Sequence, residues 1–217
     1  MAEITLYSSR VCPFAHRCRL ALAEKGLDHQ LVEIDLRNKP DWYRQINPAE
    51  AVPALQQDAF ILTESLVINE FINDLADTPP LLPAAAQTKA LARRFIAATD
   101  ASFVPAFYRL LKAQAQPDQA KAADTMLAAL QHIDQALDAS PGPWLFGAEL
   151  SLADLAVYPW FERWAVLEHY RGLSVPAELG ALHKWLAALQ QRDSVRSNAG
   201  EDAFFIAQYL DYASGKK

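Results

Sequence analysis

Cysteine is scarce in this chain: Cys12 and Cys18 are the only two in 217 residues. Two thiols so close together cannot build the disulfide framework of a small secreted protein, and a reducing compartment keeps such thiols free to react. Also missing is any run approaching the roughly 18 uninterrupted apolar residues that span a bilayer. The first residues alternate like a strand, where a signal peptide would build an apolar core. The expected location is therefore cytoplasmic, without membrane association. No basic excess exists either, since 20 Lys and Arg stand against 26 Asp and Glu for a formal charge of −6. The cations are scattered, which leaves no stripe to follow a phosphate backbone and excludes nucleic acid as the expected partner. The five histidines fall in no zinc spacing, so no metal is expected. What the chain has in quantity is apolar surface, 52% hydrophobic against 21% charged residues, enough for one large or two small cores.

Alternation through Ile4 and Leu6 predicts a strand over 4–7, and the pattern over 14–24 predicts a helix with Gly26 as its C-cap. A second strand is expected over 31–35. Strand, helix, strand normally makes parallel strands joined by a right-handed crossover. Asn38-Lys39-Pro40 breaks the chain, a short polar helix is expected over 41–45, and Asn47-Pro48 marks another turn. Short strands over 52–55 and 60–62, around a turn at 56–58, suit an antiparallel hairpin. A helix opening at Ser65 carries Leu66, Ile68, Phe71, Ile72 and Leu75 and stops before Pro79-Pro80. Residues 77–86, rich in proline and small side chains, suit an interdomain connector. Downstream only helices are expected, over 88–113, 118–139, 152–169, 178–191 and 201–212, with breaks at Pro117, Pro141-Gly142-Pro143 and Pro176. The fold class is α/β followed by all-α: a domain over 1–78, a linker over 79–86 and a helical domain over 87–217.

Cys12 falls at the first strand-to-helix junction, where unpaired backbone N–H groups and the helix field favour a thiolate, and this marks it as a nucleophile. A buried structural cysteine is the alternative. Position 15 holds Ala15, so the spacing of a dithiol redox pair is missing and Cys12 must act alone or borrow a small thiol. Pro13 suits the first helical turn, and Arg17 adds positive charge one turn deeper. Cys18 reads as core, with an oxidative pair to Cys12 as the other option. His16 reads as solvent-facing or interfacial, ahead of a catalytic base. At Val52-Pro53 a proline able to be cis leaves the backbone of Val52 free for an extended peptide. Ser65 can cap the following helix or receive a carboxylate, while Glu64 attracts an ammonium group. These features together fit a small zwitterionic peptide that carries a thiol. Ser151 and Asp154 read as a capping box ahead of an aromatic run, of which Tyr158 or Trp160 is the candidate to border a pocket between the domains while the rest is core.

The segment Cys12-Pro13-Phe14-Ala15-His16-Arg17 resembles the cysteine-type members of the cytosolic glutathione transferase superfamily, the omega class above all. It is similar also to lambda-class and dehydroascorbate reductase enzymes, and the likeness covers essentially the whole chain. The resemblance implies a thioredoxin-like, glutathione-binding N-terminal domain and an all-helical, acceptor-binding C-terminal domain. It implies that Cys12 forms a mixed disulfide with glutathione, which serves as cosubstrate, that Phe14 borders the site, and that Lys39 approaches the glycyl carboxylate. Val52, ahead of an expected cis-Pro53, would hold the cysteinyl backbone, and Glu64 and Ser65 the γ-glutamyl end. The run from Tyr158 to Arg163 looks like an omega-class helix segment, with Tyr158 where that class has a tryptophan near the acceptor pocket. Phe204 and Phe205 would line the pocket wall, and the N-terminal extension of the omega class has no counterpart ahead of Ile4. The implied activity is glutathione-dependent thiol transfer or reduction, with dehydroascorbate or glutathionylated small-molecule disulfides as acceptors, in a homodimer. Conjugation of glutathione to electrophiles, using the hydroxyls of Tyr7, Ser8 or Ser9, and a noncatalytic binding role are the alternatives.

Overall fold

β1 (Ile4–Ser8) is buried along nearly its whole length, as a strand with neighbours on both edges must be. Its partners follow in the order β2-β1-β3-β4 in a four-stranded sheet. β2 (Gln30–Glu33) runs parallel to β1, with Thr5 opposite Gln30 and Ser8 opposite Glu33. β3 (Ala54–Gln57) and β4 (Phe60–Thr63) form an antiparallel hairpin, and β3 pairs antiparallel with β1. The computed structural model describes residues 3–216 and falls into two compact units, divided between Leu82 and Pro83.

Helix α1 (Pro13–Lys25) makes the crossover from β1 to β2. Pro13 occupies its first turn, and Gly26 closes it at φ 60, with Gly26 N bonded to Ala23 O and Leu27 N to Leu22 O. Lys25 donates to Ala76 O and Pro79 O and so ties the helix end to the segment after α3 (Ser65–Asp74), while Asn73 Oδ1 accepts from Leu81 N at 2.8 Å. β2 stops two residues before the expected end, because Asp35 Oδ1 accepts from Arg37 N at 2.8 Å and bends the chain. The short α2 (Tyr43–Ile46) starts two residues later than expected. The third strand begins at Ala54 and not at 52, since Pro53 has no N–H for a ladder, and the Val52-Pro53 bond is cis. Gln56 and Gln57 are strand residues, which confines the turn to Asp58 and Ala59, with Asp58 at φ 52. This unit is the thioredoxin-like half of the fold.

The second unit is all-helical: α4 (Ala86–Lys112), α5 (Gln116–Asp138), α6 (Leu152–Glu162), α7 (Trp164–Arg171), α8 (Gly180–Gln190), α9 (Asp193–Asn198) and α10 (Asp202–Ala213). One helix expected over 152–169 is two. The break lies at Arg163, φ −98, whose N–H turns back to Trp160 O. The guanidinium of Arg163 takes over the carbonyl of Pro159 at 2.7 Å, pairs with Glu162 at 2.9 Å and lies 4.4 Å over the ring of Phe205. Glu162 in turn accepts from Gly200 N at 3.0 Å. Helix α9 was not expected from the sequence.

Ser151 and Asp154 form the capping box of α6, and Asp154 reaches further, accepting from Leu145 N at 3.0 Å and Trp185 Nε1 at 2.8 Å. Burial holds this fully enclosed carboxyl above the ordinary carboxylate range. Trp160 is fully buried and Tyr158 nearly so, with Tyr158 edge-on to Trp185 at 6.5 Å. Phe161 stacks with Phe103 at 5.5 Å and Trp164 at 5.4 Å. Phe205 is also buried, and of the expected pocket-wall pair only Phe204 keeps partial exposure. Arg171 gathers carbonyls at three helix ends: Leu110 at 3.1 Å and Leu111 on α4, Tyr170 at 2.7 Å on α7, and Ala213 at 2.7 Å on α10. Among the described residues no helix is long and apolar enough to cross a membrane.

Candidate active site

The chain leaves β1 at Ser8 and turns within three residues into α1. Glu33 on β2 steadies this turn, accepting from Arg10 N at 2.7 Å and Ser9 Oγ at 3.2 Å, and Cys12 N closes it on Ser9 O at 3.0 Å. Cys12 is thereby the N-cap residue of α1, in extended conformation. Its sulfur accepts from Ala15 N at 3.5 Å, so an otherwise unpaired N–H at the positive end of the helix aims at the reactive atom. On its other side the thiol donates to Val52 O at 3.6 Å. Cys12 is 9% exposed, sheltered but still reachable.

Cys12 shares one apolar cluster with Tyr7, Ala15, Ile34, Tyr43, Val52 and Ala54, and half-buried Phe14 packs against it. The guanidinium of Arg17 lies 5.2 Å over the Phe14 ring and donates to Ser65 Oγ at 3.3 Å. The structure thus brings together Cys12, Phe14 and Val52, with Pro53 next in the chain after Val52, and links Ser65 to Phe14 through Arg17. Lys39 and Glu64 stand exposed on separate loops outside the cluster. Ser65 is not the cap of α3. The cap position belongs to Glu64, at φ 71, without a side-chain capping bond, and the Ser65 hydroxyl faces Arg17 instead.

Other expectations change as well. His16 is fully buried and does not face solvent. The Cys18 thiol lies 3.6 Å from Ser65 O, and burial pushes it well above its ordinary range. Both cysteines are free, which rules out the oxidative pair in this state. The three hydroxyls nearest Cys12 in sequence are engaged. Tyr7 donates to Gln56 Oε1 at 2.8 Å, Ser8 Oγ accepts from Arg19 at 2.6 Å, and Ser9 donates to Glu33. Burial also raises the Tyr7 phenol above its usual value.

Sequence reasoning missed Tyr43 and Asn47. Fully buried Tyr43 donates from its hydroxyl to Ala51 O at 2.7 Å, and Asn47 Nδ2 donates to the same oxygen at 2.8 Å. Asn47 Oδ1 meanwhile accepts from Ala49 N at 3.0 Å. Burial pushes the Tyr43 phenol up to about 12. The Asn47-Pro48 turn was the available signal, but the acceptor four residues on was not. Trp42, 46% exposed, lies with its ring 6.0 Å from Tyr7 at the open edge of the cluster. Among the described residues no group of three or more His, Cys, Asp or Glu side chains is placed to hold a metal ion.

Residues 6–80 match the family described as glutathione S-transferase, N-terminal domain, and residues 113–188 match glutathione S-transferase, C-terminal domain. The chain is 29% identical over 210 residues to glutathione S-transferase omega-1 of Mus musculus, covering 96% of this chain and 85% of that protein. It is 30% identical over 194 residues to a probable glutathione S-transferase DHAR1, cytosolic, of Oryza sativa subsp. japonica, covering 88% and 85%. Among solved structures, glutathione transferase Omega 3C from Trametes versicolor aligns with a TM-score of 0.85 at 30% identity, over 95% of this chain and 90% of that one. A cysteine at a helix N-cap, its sulfur accepting a backbone N–H, is equipped for thiol–disulfide exchange.

Proposed function

We propose glutathione-dependent thiol transfer and reduction as the function of this chain, which belongs to the cytosolic glutathione transferase superfamily as a cysteine-containing, omega-like member. The observation that carries the proposal is the placement of the Cys12 sulfur between Ala15 N at 3.5 Å and Val52 O at 3.6 Å. In the first half-reaction the Cys12 thiolate attacks the glutathione sulfur of a mixed disulfide, GS–SR. A Cys12–glutathione disulfide forms, and RS⁻ leaves and takes a proton from solvent. In the second, the thiolate of free glutathione attacks the glutathione sulfur held on Cys12, releases oxidised glutathione and returns Cys12 as thiolate. With dehydroascorbate as acceptor, two glutathione thiols supply two electrons and two protons and leave as one disulfide. The Ala15 N–H stabilises the cysteine as attacking group in the first step and as leaving group in the second.

In this scheme Phe14 borders the bound tripeptide, Lys39 meets its glycyl carboxylate, and Val52 ahead of Pro53 holds the cysteinyl backbone. Glu64 and Ser65 receive the γ-glutamyl end. The glutathione domain spans 1–78, the linker 79–86, and the acceptor-binding domain 87–217. Exposed apolar Phe60, Ile61 and Val67, on β4 and α3, support a homodimer that covers some of them. The setting is cytoplasmic, where reduced glutathione is available. Conjugation is the weaker reading because Tyr7 and Ser9 already donate their protons, to Gln56 and Glu33, and Ser8 is fully buried against Arg19.

The test is the mass of the intact protein after incubation with oxidised glutathione. A gain of about 305 Da, reversed by reduced glutathione and absent in Cys12→Ser, is expected for one mixed disulfide. No adduct on the wild type, or an unchanged adduct on Cys12→Ser, overturns the assignment. Turnover with hydroxyethyl disulfide and with dehydroascorbate then separates the acceptors.

A further inference from the structure

We infer that Tyr43 and Asn47 act together as positioning residues for the Cys12 centre, through the carbonyl of Ala51. This inference rests on the proposed function for its turnover readout but not for its chemical one. The Tyr43 hydroxyl and Asn47 Nδ2 both donate to Ala51 O, at 2.7 and 2.8 Å. Ala51 O lies one peptide ahead of Val52, whose own carbonyl faces the Cys12 thiol at 3.6 Å. Both donors are sheltered from water, Tyr43 fully and Asn47 at 5% exposure, so their bonds to Ala51 escape competition from solvent. The remaining capacity of Asn47 shapes the same turn: its N–H returns to Tyr43 O, its carbonyl accepts from Glu50 N, and Oδ1 accepts from Ala49 N. Ala51 O is therefore held from two directions, and the peptide that orients Val52 is fixed at its start, as Pro53 fixes it at its end. The placement has two consequences. Val52 O stays within reach of the thiol proton, and the backbone edge of Val52 stays in place for a peptide ligand.

Each consequence has its own readout. In the free protein, S–H donation to Val52 O favours the neutral thiol. Releasing Val52 lowers the midpoint of the pH profile for alkylation of Cys12 by iodoacetamide, by about half a pH unit for one weak hydrogen bond. The ionisable neighbours leave that profile readable. Tyr7 on β1, Tyr43 on α2 and Cys18 on α1 are all raised by burial, while His16, Arg17 and Arg19 on α1 are the same in every variant. In turnover, a displaced edge raises KM for glutathione by about tenfold with little change in kcat. A merely structural role lowers thermal stability and leaves both readouts where they were.

The experiment compares full-length Tyr43→Phe, Asn47→Ala and Asn47→Asp with the wild type. Tyr43→Phe keeps the ring and its packing, and so stays folded even where a change at Asn47 does not. Asn47→Asp keeps an acceptor for Ala49 N but has no donor for Ala51 O. The expected result is a raised KM in all three variants and a downward alkylation midpoint in Tyr43→Phe and Asn47→Ala, since the added carboxylate of Asn47→Asp itself holds the thiol pKa up. Wild-type behaviour in Tyr43→Phe, or full rescue by Asn47→Asp, overturns the inference, the latter by showing that the turn alone matters. If the wild type forms no glutathione adduct, the proposed function fails, and the alkylation profiles still decide whether the positioning pair exists.

Discussion

Replacing Arg171 by Ala withdraws one guanidinium from the ends of three helices. In the folded protein that group donates to Leu110 O and Leu111 O on α4, Tyr170 O on α7 and Ala213 O on α10. Carbonyls at a helix C-terminus lack intrahelical partners and carry the negative end of the dipole, so a cation there serves both needs. A hydrogen bond from a charged donor contributes roughly 1.5–3 kcal/mol, but Arg171 is only half-buried and water replaces part of each bond. Its desolvation, which draws the guanidinium below its ordinary range, offsets some of the rest. The net loss is about 3 kcal/mol, and for a protein of this size that lowers the melting temperature by roughly 6–12 °C. The assay is thermal unfolding of the full chain followed by far-ultraviolet circular dichroism, with Arg171→Lys beside Arg171→Ala. Lysine keeps the charge but not the planar fork, so it recovers less than half of the loss. A drop below about 2 °C in the alanine variant, or full recovery by lysine, refutes the idea that one planar group joins three helix ends.

Three other perturbations have defined outcomes. The Tyr43 phenol, pushed up to about 12 against an ordinary 10, favours the folded state while neutral; that contribution is complete below pH 10 and lost as pH rises through 12. Denaturant unfolding at stepped alkaline pH checks it: the wild type loses stability over that window more steeply than Tyr43→Phe, and parallel curves count against it. Asp154→Asn keeps the shape but puts an amide donor where Ser151 N and Ser151 Oγ donate, at 2.9 Å each, so stability falls by about 2–4 kcal/mol in denaturant titration. Cys18→Ala leaves the glutathione adduct intact, and native Cys18 reacts with iodoacetamide only after unfolding, as peptide mass mapping reveals; labelling of folded protein at Cys18 contradicts its enclosure.

Much of the first unit is legible because its signals are local. Cys12 beside Pro13 announces a helix start, Gly26 its end, and two short apolar runs across a tight turn announce the hairpin. The capping box of α6 is equally local, with both partners within three residues. What stayed hidden depends on atoms distant in sequence. Ser65 has the residue type of a cap, yet Arg17, 48 residues earlier, claims its hydroxyl and the cap position goes to Glu64. The division between α6 and α7 has no glycine or proline at Arg163 to mark it, and depends on a guanidinium folding back onto Pro159 O. His16 reads as solvent-facing or interfacial, while the packing of α1 encloses it fully. Asn47-Pro48 announces a turn but Tyr43 carries no motif, and the part the two residues share is visible only once both are seen to reach Ala51 O.

The Glu162–Arg163 pair, with its guanidinium over the Phe205 ring, restricts how this chain can drift. Either partner changed alone takes the ion-pair partner from a charge largely out of water, whereas joint replacement by apolar side chains of similar volume removes both charges at once, at the cost of the bonds to Pro159 O and Gly200 N. A library that varies one position at a time scores both sites as immutable; a library that varies them together finds the passage. Lineages that have lost one of these residues should therefore have lost both, with position 205 free to abandon its aromatic ring only after the cation above it has gone.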